Sequence, residues 1–132
     1  MHLKSNILTS VIFLLLCHCA QAQIVVNELM ASNSLSVVDP EFDESADWIE
    51  LHNLGGEAVE LTGWYATDNL SDSTKWLFPV GTSIPAEGFL LLWCDSEDSG
   101  LHTSFNLSSD GEEVGIFNAA LEVQDALVYQ TQ

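Results

Sequence analysis

The sequence predicts an all-β domain, a sandwich or a barrel, and three observations carry that prediction. Apolar and polar residues alternate over short stretches. This is clearest in DWIELHN at 47–53, where Ile49 and Leu51 share one face and Trp48, Glu50 and His52 share the other. Turn residues punctuate the chain at short intervals, among them Gly55-Gly56, Gly63, Pro79, Gly81, Pro85, Gly88 and Gly111. After residue 22 no stretch carries the three-and-four spacing of an amphipathic helix.

Residues 1–22 are set apart from this pattern. Lys4 precedes an almost wholly apolar run over 7–16, and Ala20-Gln21-Ala22 follows, which is the order of a secretory signal peptide with cleavage before Gln23. The run is short for a membrane span. Leu16 and His18 precede Cys17 and Cys19, where lipid attachment would need a small residue. The mature chain is therefore expected to be secreted or held at the cell surface by the general export route, with no membrane insertion after cleavage.

Taken in order, IVVNELM at 24–30 reads as a first strand rich in β-branched residues. Residues 31–46 form a long acidic loop carrying Pro40. The alternating stretches 47–53 and 57–61 read as a hairpin turned at Gly55-Gly56, where positive φ costs glycine little. One face of this hairpin must be buried, and Gly63-Trp64 returns the chain beside it. A short strand is expected at 64–68, then a turn at 69–73. TKWLF at 74–78 is a strand ended by Pro79 and Gly81, and 84–88 turns into the most apolar strand, FLLLWC at 89–94. Residues 95–100 are an acidic loop, 102–107 are extended, and strands at 113–117 and 121–129 pair across 118–120.

Composition bounds function. Residues 23–132 suffice for one domain with a core that needs no staples. All 20 Asp and Glu lie after residue 22, where Lys75 is the one lysine or arginine. Such a surface repels phosphate backbones, which argues against nucleic acid and anionic membranes as partners. It favours cationic partners and metal ions, and it also suits simple solubility in salty surroundings. Cys94 is the one cysteine left after cleavage, so no intrachain disulfide forms, and its apolar neighbours predict a buried, inert thiol.

At this point the residues resemble the lamin-tail domain family, of the type found in secreted bacterial proteins. The matching stretches are IVVNELMAS at 24–32, DWIELHNLGGEAVELTGW at 47–64, TKWLFPVGTSIPAEGFLLLW at 74–93, HTSFNLSSDGEEVGIFN at 102–118 and LEVQDALVY at 121–129. They cover nearly all of the mature chain in the family's order. The resemblance implies an immunoglobulin-like β-sandwich. It also implies that Asn27-Glu28, Asn53, Gly63-Trp64 and Phe78-Pro79 serve the fold at strand ends, turns and core. Nuclear members are associated with filaments and bind nucleic acid and proteins. Here the acidic charge and the lack of a coiled-coil rod point away from those roles. Relatives often carry a further Gly/Pro-rich strand region, so the domain is expected to be cut short at its C-terminal end.

The sharpest candidate site is the acidic loop. Asp39, Glu41 and Asp43 alternate like the first ligands of a calcium loop, Asp47 follows, and Glu50 is twelfth from Asp39. Glu44 stands where a helix-flanked loop needs glycine, so this is not an EF-hand. Two readings of the loop stand: a merely solvated acidic loop, and a weak calcium site on a sandwich edge built from Asp39, Glu41, Asp43, Asp47 and Glu50. Trp48 falls out of phase with Ile49 and Leu51, so it is either exposed or covered by the acidic loop. If exposed, Trp48, Glu50 and His52 form a row that offers a binding surface for a protein or a glycan. Trp64, Trp76 and Trp93 sit among apolar neighbours and read as core.

His52 reads as a surface residue and His102, after a loop, as exposed. With no G-x-S-x-G, H-E-x-x-H or phosphate-binding glycine loop, catalysis is not expected. The sequence thus points to a secreted, monomeric, non-catalytic interaction or adhesion accessory module. The alternatives are a calcium-stabilised structural domain of a larger cell-surface protein and, behind it, a small hydrolase.

Overall fold

The structure is a computed structural model that describes residues 23–34 and 37–132. The signal segment expected at 1–22 lies outside the described residues. Nine strands follow one another: β1 (Ile24–Met30), β2 (Asp47–Asn53), β3 (Val59–Glu60), β4 (Tyr65–Thr67), β5 (Trp76–Leu77), β6 (Ser83–Ile84), β7 (Phe89–Cys94), β8 (Gly111–Phe117) and β9 (Val123–Gln130). They form a three-stranded sheet β1-β2-β7, a four-stranded sheet β5-β4-β8-β9 and a small β3-β6 pair, with antiparallel pairing throughout. Among the described residues there is no helix, and so none long and apolar enough to cross a membrane.

The sheets meet over the larger of two hydrophobic clusters among the described residues. Ile24 of β1, Ile49 and Leu51 of β2 and Leu92 and Cys94 of β7 face Ala66, Trp76, Val114 and Ile116 of the larger sheet, with Phe78 and Leu61 filling between. This is the immunoglobulin-like sandwich, with alternation deciding which side chain points in. Burial also raises the Cys94 thiol pKa, which keeps it protonated and inert.

Between the two sheets, β1 and β9 approach edge to edge. The Val26 N–H donates to Asp125 Oδ2 at 2.8 Å, and the Ala31 N–H donates to Gln132 Oε1 at 2.9 Å. Side chains from the far end of the chain therefore occupy donors that an open edge strand would present to water or to another chain. A bulge between Val26 and Glu28 shifts the β1 register there, and the Asn27 side chain donates to Glu50 Oε1 at 2.8 Å.

The expected hairpin at 47–61 does not form. β2 lies between β1 and β7, while β3 leaves it to pair with β6. The cause is Asn53. Its buried Nδ2 donates to the carbonyls of Glu57 at 2.7 Å, Pro85 at 3.0 Å and Ile84 at 3.1 Å, while Oδ1 accepts the Gly55 N–H at 2.9 Å. The chain is thereby pinned against the 84–88 turn and carried out of the first sheet. Gly55 does not take positive φ; a Cβ there would fall 2.1 Å from the Gln23 Nε2 atom, and the flexible Gln23 side chain would have to move aside. Residues 102–107, expected to be extended, lie outside the named strands. They make only isolated bridges, Trp93 with His102 and Asp95 with Asn106.

Candidate functional site

Two loops that sequence spacing kept apart meet at the end of the three-stranded sheet. The first is the acidic loop. Pro40 follows Asp39, and the Asp39 carboxylate turns back to accept the Glu41 N–H at 2.9 Å. The Asp39 carbonyl accepts the Asp43 N–H at 2.9 Å, and the Asp39 N–H donates to the Glu44 carbonyl at 2.8 Å, closing residues 39–44 on themselves. Asp43 takes positive φ (56°) to complete the turn. The second loop leaves β7 at Asp95, whose Oδ1 accepts the Glu97 N–H at 3.1 Å. It returns so that the Trp93 N–H reaches the Leu101 carbonyl at 2.9 Å and the Thr103 N–H reaches the Trp93 carbonyl at 2.7 Å. These bonds hold His102 beside the strand end.

His102 is therefore buried, 2 % exposed, where an exposed residue was expected. Its Nδ1–H donates to Asp95 Oδ2 at 2.6 Å. Its Nε2 lies 3.2 Å from Glu41 Oε2 and 3.8 Å from Asp39 Oδ2. The Phe42 ring stands edge-on to the imidazole at 4.9 Å and 82°. Burial by itself lowers the His102 pKa. The hydrogen bond and charge of Asp95, the Glu41 bond and the Asp39 charge outweigh it and hold the pKa above the ordinary 6.5. The donor atoms of Asp39, Asp95 and His102 all lie within 4.8 Å of one another.

Of the five carboxylates in the expected calcium loop, only Asp39 and Glu41 reach this point. Asp47 instead accepts the Asn33 N–H at 2.9 Å, and Glu50 accepts from Asn27 on the sheet face. Asp43 is exposed on the turn. Asp39 is fully buried, although it was read as part of a solvent-facing loop. Asp95 and His102 complete the cluster; the sequence marked Asp95 only as part of a separate acidic loop and His102 as exposed, and joined neither to Asp39. His102 and Glu41 are 61 positions apart, and nothing in their spacing announces the meeting.

The row Trp48, Glu50 and His52 is only partly open. Trp48 is 5 % exposed and packs with Ala46, Trp93, Met30, Val37 and Leu91, so the loop covers it. Glu50 and His52 remain half-buried on the outer face. Cross-strand pairing places His52 opposite Phe89, and the two rings stack at 4.1 Å with 9° between planes. Phe89 is 53 % exposed, a large apolar ring offered to solvent at the sheet edge. Trp76 and Trp93 are buried and Trp64 is partly buried against the core, in line with their expected role.

The family model for the Lamin Tail Domain matches residues 19–131. No curated protein matches the chain.

Proposed function

The chain belongs to the lamin tail domain family, and on that premise we propose that it works as an exported, non-catalytic interaction module. Its binding face is the outer surface of the β1-β2-β7 sheet around His52, Phe89 and Glu50. The observation that carries this reading is the exposed Phe89 ring stacked on His52. An aromatic pair held in place by strand register gives contact area at little cost in side-chain entropy, and Glu50 beside it supplies a charge. Export is supported by the composition of residues 1–22, and a partner with basic groups by 20 acidic residues against Lys75. Within those terms the partner is a protein or a glycan.

The test is capture of secreted proteins and arrayed glycans by the mature chain. A partner bound through this face loses at least about tenfold in affinity when Phe89 and His52 are both changed to Ser. It keeps its affinity when Leu121, exposed before β9, is changed to Ser. Equal retention by both variants would remove this face from consideration.

A further inference from the structure

The His102 cluster has one feature that an ion pair alone leaves unexplained. Asp39 Oδ2 is a buried carboxylate oxygen with no hydrogen-bond donor. Its residue is fully buried, and the oxygen faces His102 Nε2 at 3.8 Å. A buried carboxylate oxygen is costly unless a donor or a cation meets it. The other oxygen of Asp39 is already engaged by the Glu41 N–H, so the carboxylate is fixed in orientation with the unsatisfied atom turned inward. Asp95 meanwhile takes the Nδ1–H, so a cation that displaces the proton from Nε2 finds the lone pair of that nitrogen directed at it. A carboxylate behind the far nitrogen of a histidine is the arrangement that orients an imidazole toward a metal.

We propose that Asp39, Glu41 and His102 bind a divalent cation of the zinc class, through Asp39 Oδ2, Glu41 Oε2 and His102 Nε2, with Asp95 as the positioning residue for the ring. Nε2 stands 3.2 Å from the Glu41 oxygen and 3.8 Å from the Asp39 oxygen. Ligands about 2.0–2.1 Å from a tetrahedral zinc ion stand roughly 3.3 Å apart, so both separations from Nε2 are close to those of a bound set. The imidazole nitrogen selects the class of ion. Calcium and magnesium prefer oxygen ligands alone, whereas zinc accepts one nitrogen and two carboxylates. Glu41 is 64 % exposed, which gives the ion a path in and leaves a coordination position for water. The bound ion would join the 39–44 loop to the 95–102 loop and so fix the cover over Trp48.

The experiment is thermal unfolding of the mature chain in EDTA, then with zinc, calcium or magnesium at matched ionic strength, together with cobalt(II) absorption. Zinc at about a hundredfold over its dissociation constant is expected to raise the midpoint by about 10 °C, with calcium and magnesium giving only the small rise of screening. Cobalt(II) is expected to show visible bands that zinc removes. His102→Gln abolishes both responses. Should that variant fail to fold, Glu41→Gln, on the exposed side, weakens zinc at least about tenfold while leaving the circular dichroism unchanged. Glu97→Gln, outside the set, changes neither response. Equal shifts with all three ions, or full zinc affinity in Glu41→Gln, would overturn the assignment and leave His102 as an imidazolium held by its carboxylates.

Discussion

At the scale of single residues, Asn53 shows how one side chain routes the backbone. It is fully buried, and its amide serves carbonyls on two separate turns while its oxygen accepts the Gly55 N–H and the Gln23 Nε2–H, the latter at 3.1 Å. Two of those carbonyls keep another donor when the amide is gone, Pro85 the Gly88 N–H at 2.9 Å and Glu57 the Gln23 Nε2–H at 3.3 Å, so the loss falls on the remaining bonds and on the space left by the side chain. Asn53→Ala is expected to cost about 2–3 kcal/mol, because a fully buried side chain gives up several hydrogen bonds, one of them to the buried Ile84 carbonyl, and leaves a space behind. Urea unfolding reads this as a fall in midpoint at constant slope. Asn53→Asp is expected to be worse, since it turns two donors into acceptors that face three carbonyl oxygens. A loss under about 1 kcal/mol in the alanine variant would mean that the 84–88 turn holds its place without Asn53. The resemblance to the lamin-tail family had already assigned Asn53 to the fold. The sequence by itself gave no hint of which carbonyls it serves, because those lie at 57 and 84–85.

At the scale of elements, strands were legible where burial is one-sided and obscured where partners are distant. Residues 24–30, 47–53 and 89–94 carry enough alternation or apolar character to announce themselves, and each is a strand. Alternation says nothing of which strand lies alongside, which is why the stretch after Gly55-Gly56 was read as returning on β2 when it pairs with β6. The His102 cluster was illegible for the same reason: its members sit on two loops, and loops have no period. The β1–β9 seam is a third case, since Val26 and Asp125 are 99 positions apart. That contact makes its own prediction. Asp125→Ala frees the Val26 N–H at the sheet edge and is expected to cost about 1.5 kcal/mol, the lower end of the range for a bond to a charged acceptor, because the site is only part-buried. Amide exchange at Val26 should quicken while exchange at Ile49 and Leu92 in the core does not. Asp125→Asn, which keeps an oxygen acceptor, should recover most of the protection. Unchanged exchange at Val26 in the alanine variant would show that the seam is closed by backbone proximity and not by this carboxylate.

At the scale of the whole molecule, charge opposes the fold that the core supports. After residue 22 the chain carries twenty Asp and Glu, of which Asp39 is buried, against Lys75 as the one Lys or Arg, and that lysine is already engaged by Asp68 at 2.5 Å with its ammonium 5.7 Å from the Phe105 ring centroid. The remaining acids repel one another over distances set by screening, about 30 Å at 0.01 M salt and about 8 Å at 0.15 M. Unfolding spreads these charges apart, so repulsion subtracts from stability most strongly in dilute buffer. The thermal midpoint in EDTA is therefore expected to climb by several degrees as sodium chloride rises from about 0.01 M to about 0.5 M, with most of the gain below about 0.15 M, where the screening length shrinks past the spacing of surface groups. Sodium and potassium should act alike, because screening does not distinguish them. This dependence is separable from the zinc response. Screening acts on every carboxylate and survives His102→Gln, whereas a bound ion acts at one cluster and does not. A midpoint that stays flat across the salt series would mean that the acids are spaced widely enough to ignore one another. The acidic composition would then carry no energetic cost to the fold, and the pull of this surface on basic partners would have to come from local clusters and not from the field of the whole domain.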